Sequence, residues 1–166
     1  MRVPIQTLSI EPAGALVDFT LVSLMLFDLE NPVVQFCAAG MEVDGEPSKA
    51  LALFERAWAS RRDDFDASVA AHYVARHQAT PQASLEWNER ALQHAEAIAD
   101  DRAASLMPSL CLNLAESYRK SARMAEAEQL ALRGLLAVDR LPPDDGYARF
   151  VRAGLDRLLQ RLRAGR

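Results

Sequence analysis

The side chains that could do chemistry in this chain are few, and their spacing mostly argues against catalysis. His72 and His77 are five residues apart. On a helix that turns the two imidazoles roughly 140° from each other, so they do not share a metal. No Gly-rich phosphate loop, no closely spaced Cys pair and no His-Glu-x-x-His occurs. The acidic pairs Asp63–Asp64 and Asp100–Asp101 stand at predicted helix starts, where carboxylates favour the positive end of the helix dipole. The densest polar and aromatic group is His72, Tyr73, Arg76, His77 and Trp87. If these lined one pocket, the protein would be an enzyme or would bind a small molecule. With no catalytic constellation at a specific spacing, the sequence reads instead as non-enzymatic, with no cofactor and no metal.

The elements that must position these residues are helices. Half of the residues are hydrophobic but only 7% are aromatic, and Ala and Leu dominate over the β-branched residues that favour sheets. In residues 109–139, Leu110, Cys111, Leu114, Ala115 and Tyr118 share one helical face. After a tight turn, Ala127, Leu130, Ala131, Gly134, Leu135 and Val138 share another. Small residues (Ala115, Ala127, Gly134) sit where two such helices would cross most closely. Pro47 and Pro81 open helices at positions that need no amide donor, the second behind the N-cap Thr80. Gly45 is expected to end the preceding helix with positive φ. Pro108 is expected early in its helix or at a kink. A last helix, re-capped at Asp144 or Asp145, places Phe150, Val151, Leu155, Leu158, Leu159 and Leu162 on one stripe and Arg149, Arg152, Arg157, Arg161 and Arg163 around the rest.

Residues 1–30 are an N-terminal segment of uncertain structure. Their apolar run of about 14 residues, interrupted by Asp18, is shorter than the roughly 20 that span a bilayer, and no export signal is visible. Met25 offers an alternative start, so residues 1–24 are expected to contribute little to the fold. Cys37 and Cys111 both fall on apolar faces and read as reduced, small hydrophobes of a cytoplasmic protein. A net charge of −4 argues against wholesale nucleic-acid binding.

The helix pairs resemble the tetratricopeptide repeat, TPR. Ala38, Met41, Gly45, Ala50, Phe54 and Ala57 fill its positions 8, 11, 15, 20, 24 and 27. Ala115, Tyr118, Ala127 and Gly134 fill four of them again, and Ser84, Asn88 and Ala91 fill three, with Asn88 in place of the usual aromatic. Ala50 to Ser84 spans 34 residues, the period of the family, and Ser84 to Ala127 spans 43, as in its longer kinesin-light-chain type. Small bacterial proteins of this class are similar over roughly residues 31–160. The resemblance implies an all-α domain over residues 31–166: antiparallel pairs stacked as a short superhelix with a C-terminal capping helix. It also implies an adaptor or scaffold that binds a partner peptide in a concave groove. Carried onto this chain, the groove would be lined by Gln35, Ala39, Glu42 and Val43, then Ser68, His72, Ala75 and Arg76, then Leu112, Glu116, Arg119 and Lys120. Gln35, Glu42, His72, Arg76, Glu116, Arg119 and Lys120 are the polar candidates. His72, Arg76, Arg119 and Lys120 would form one cationic wall suited to an acidic or C-terminal peptide segment, although the Lys of the family's carboxylate clamp is absent. The apolar stripe of the last helix is expected to dock on the preceding pair. Its other uses would be a peptide or homo-oligomer contact, or a membrane or nucleic-acid surface; no nucleic acid and no membrane is expected as partner.

Overall fold

The computed structural model describes residues 28–142 and 144–165. All regular structure within them is helical: α1 (Pro32–Glu42), α2 (Pro47–Ala59), α3 (Asp64–Val74) with a 3-10 turn (Ala75–His77), α4 (Pro81–Ala97), α5 (Arg102–Lys120), α6 (Met124–Val138) and α7 (Gly146–Ala164). The apolar run before residue 28 and the alternative start at Met25 lie outside the described residues. The extra residues between the second and third pairs lengthen α4 and α5, to 17 and 19 residues against 11 to 13 for the first three helices.

Helix starts follow local chemistry. Asn31, Asp63, Thr80 and Asp145 each accept backbone N–H bonds of their own first turn, and Pro32, Pro47 and Pro81 fix φ there. Asp100, rather than the N-cap Asp101, holds the start of α5, accepting from Arg102 N at 3.0 Å. Two turns differ from expectation. Gly45 does not adopt positive φ; the α1–α2 turn closes through Val43 N to Gly40 O and Glu46 N to Val43 O. The left-handed residue is Ala122, with φ 58°. It stands just past the C-cap of α5, where Arg123 N reaches back to Tyr118 O (2.8 Å) and Ala122 N to Arg119 O (3.1 Å). That is a Schellman turn with alanine in the place glycine prefers.

Consecutive helices pack as hairpins, α1 on α2, α3 on α4 and α5 on α6. The odd helices also touch in series, α1 with α3, α3 with α5 and α5 with α7. Small residues permit the closest approaches. Ala50, Ala57, Ala115 and Ala127 are fully buried. A Cβ on Gly40 would lie 2.2 Å from the Phe54 ring, and one on Gly134 would meet Cys111 Cβ at 3.0 Å and Leu155 of α7 at 2.9 Å. In the first pair Gly40 makes the tight contact, whereas Ala38 is half-buried. Helix α3 is buried on all sides from Phe65 to Ala75, which its nearly all-round apolar and small sequence allows.

Pro108 lies inside α5, buried. It lacks the amide that would bond the carbonyl one turn back. Just after it, the Tyr147 hydroxyl from α7 accepts from Ser109 N (3.2 Å) and donates to Ser105 O (2.9 Å). A side chain of the last helix thus stands in the backbone ladder of the fifth, and the leucine stripe of α7 covers α5 and α6 around it.

Candidate functional site

The site is built where the second helix pair meets the third. After Val74 the backbone tightens into the 3-10 turn, with Gln78 Nε2 donating to Val74 O (2.8 Å), and restarts at the Thr80 cap of α4. The C-terminal turn of α5 lies opposite. Between them is a cleft of about 240 Å³ lined by Ala75, Arg76, Gln78, Ala79, Thr80, Pro81, Ser84, Ser117 and Lys120. Of its hydroxyls, Ser84 Oγ donates to Ala75 O (2.9 Å), and Ser117 Oγ accepts from Asn88 Nδ2 (3.0 Å). Its charged walls are cationic. Arg76 and Lys120 line the space, and no carboxylate or imidazole is among its walls.

Arg76 is held at 3.2 Å by Asp44, from the α1–α2 turn, and Asp44 also lies 2.7 Å from His77 Nε2. Burial works against ionisation of Asp44. The His77 hydrogen bond and the Arg76 charge outweigh it, and the carboxyl sits below its ordinary value. Lys120 is exposed and makes no ion pair among the described residues.

The other candidates from the sequence are dispersed. His72 is buried, with Nδ1 3.2 Å from Asn113 Nδ2, and Ser68 and Ala75 are buried beside it. Arg119 turns back to Glu116 (2.6 Å), which Arg161 of α7 also contacts at 3.1 Å. For Glu116 as well, burial opposes the charge, but the Arg119 hydrogen bond and the charges of Arg119, Arg161 and Lys120 prevail, so its carboxyl is depressed. Gln35 is exposed and donates to Leu29 O, and Glu42 is exposed at the end of α1.

The five residues of the pocket reading serve several contacts. Tyr73 is fully buried against Phe54, with ring centroids 5.3 Å apart, and His77 stacks on the same ring at 5.9 Å. Trp87 meets Trp58 edge-on at 5.0 Å, and of the five only Arg76 lines the cleft. Among the described residues no three His, Cys, Asp or Glu side chains gather as a metal site, and no helix is long and apolar enough to cross a membrane. Both cysteines are buried, and burial pushes the Cys111 thiol up to about 11.

No family model, curated protein or solved structure matches the chain.

Sequence reasoning did not find Asp44 or Arg161, because each acts across helices far apart in the chain. Asn88 did leave a signal. A polar residue at a position of the repeat pattern that is usually aromatic is explained by its buried bond to Ser117 on α5.

Proposed function

We propose that the protein is a non-enzymatic binding module, a short stack of TPR-like helix pairs that holds a partner peptide by its carboxylates. The observation that carries this reading is the cleft shared by Arg76 and Lys120. Two cations from adjacent helix pairs face one space with no acid among its walls. The Arg76 guanidinium, oriented by Asp44, brings a fixed positive charge to the wall, and the ammonium adds a mobile one. The serial contact of the odd helices supports the stacked arrangement. A terminal or side-chain carboxylate is the group such a cleft takes best, and a charge-assisted contact of this kind contributes about 1.5–3 kcal/mol when desolvated.

The test is fluorescence anisotropy with a library of labelled acidic peptides, each with a free and an amidated C-terminus. Lys120→Ala should weaken the best binder about tenfold, and binding should fall with salt. Arg119, held by Glu116, should matter little. A binder that keeps its affinity for Lys120→Ala with Arg76→Ala, both folded by circular dichroism, would place recognition elsewhere.

A further inference from the structure

Opposite charges without partners collect at opposite ends of the stack. Helix α7 carries Arg149, Arg152, Arg157, Arg161 and Arg163 against one acid, Asp156, in a chain whose net charge is −4. Its leucine stripe is used up on α5 and α6, so its other face is open among the described residues. Arg152 pairs with Asp139, Arg161 with Glu116, and Arg149 reaches Asp144 O. Exposed Arg157 and Arg163 make no ion pair among the described residues.

The first pair is the reverse. From residue 28 to Ala59 it holds Asp28, Glu30, Glu42, Asp44, Glu46 and Glu55 against Lys49 and Arg56. Asp28 faces Arg62, Asp44 holds Arg76 and His77, Glu46 pairs with Lys49, and Arg56 lies over the Phe36 ring. Glu30, Glu42 and Glu55 are exposed and make no ion pair among the described residues.

These two sets cannot neutralise one another within one chain. Helix α7 packs on α5 and α6, and the α3–α4 pair stands between them and the first pair. At about 8–10 Å per helix layer, the separation is well beyond the screening length of about 8 Å at physiological salt. A second copy can bring them together. We propose that the protein associates head to tail with itself, the arginines of α7 of one copy against the exposed carboxylates Glu30, Glu42 and Glu55 of the first pair of the next. The contact is heterologous, so each bound copy leaves a free acidic end and a free basic end, and the assembly grows as short rods rather than closing as a dimer. This surface is separate from the Arg76–Lys120 cleft.

Sedimentation equilibrium at about 20 mM and about 500 mM salt tests it. Wild type should rise above the 18.3 kDa monomer mass with concentration at low salt and return to it at high salt. Arg157→Glu with Arg163→Glu, and separately Glu42→Arg with Glu55→Arg, should each be monomeric at low salt. Mixed in equal amounts, the two double variants restore the native contact and set reversed charge against reversed charge at the remaining ends, so the mixture should again rise above the monomer mass at low salt. All four substitutions are at exposed positions, and circular dichroism confirms the fold of each. A wild type that remains 18.3 kDa at low salt would overturn the proposal. So would a charge-reversed variant that self-associates as wild type does, or a mixture that stays monomeric.

Discussion

Replacing Gly40 with alanine adds one methyl group where, of the described glycines, a Cβ has the least room. The new Cβ would sit 2.2 Å from Phe54 Cε1, 2.7 Å from Cδ1 and 2.8 Å from Cζ. The ring has nowhere to go: Phe54 is fully buried, with Tyr73 on one side and His77 stacked at 5.9 Å. Overpacking of this kind costs about 1–3 kcal/mol, and contact with a pinned ring belongs at the top of that range. Alanine returns about 1 kcal/mol through its better helix propensity. The net expectation is a loss of about 2 kcal/mol, or about 4–8 °C in Tm at this chain length. Gly154→Ala is the comparator. There the new methyl meets only Leu112 Cδ2 at 2.8 Å, the far end of a half-buried side chain that can swing away. It should be neutral or stabilising by up to about 1 kcal/mol. Urea melts of both variants, with Phe54→Leu added to Gly40→Ala, complete the assay. The double variant should recover part of the loss through favourable coupling. A Gly40→Ala protein as stable as wild type, or two glycine variants equal in effect, would refute the packing argument.

Tyr147→Phe removes the hydroxyl that bridges Ser109 N and Ser105 O beside Pro108, and should cost about 1–3 kcal/mol in chemical denaturation. Ala122→Gly relieves the left-handed strain in the α5–α6 turn and should raise stability by about 1 kcal/mol in the same melts; a loss would mean the Schellman turn is misread. The depressed Glu116 carboxyl contributes stability that is present above its unfolded pKa and lost as pH falls through the lower folded value. The gap between wild type and Glu116→Gln should therefore close as pH drops from about 6 to about 3. For a partly exposed group that gap is about 1 kcal/mol or less.

Much of the helical framework was legible because it rests on local signals. Pro47, Thr80–Pro81 and Asp145 mark starts that depend only on capping chemistry, and the buried faces of α5, α6 and α7 follow the 3.6-residue period that their apolar residues repeat. The turns were less legible. Gly45 looked like a left-handed cap because glycine prefers that conformation, yet the hydrogen bonds close the turn without it. Ala122, with no such preference, is forced there by the return of Arg123 to Tyr118. Candidate cations were easy to name but not to orient. Arg119 and Lys120 are neighbours in sequence, and only the positions of Glu116 and α7 decide that the first turns inward to an acid and the second toward the cleft. Likewise nothing local to Arg76 announces Asp44, 32 residues earlier.

The complete burial of α3 bears on how the protein opens. In a linear array of modules, each unit touches only its neighbours, and terminal units fray while the middle stays closed. Here the segment from Phe65 to Ala75 is enclosed by α1, α2, α4 and α5 together, so detaching either adjoining pair strips its cover. Partial unfolding from the first pair should propagate instead of stopping at a boundary. Amide hydrogens from Val69 to Val74 are then expected to exchange with solvent only when the whole chain opens. Their exchange rates would measure global stability from a single short peptide.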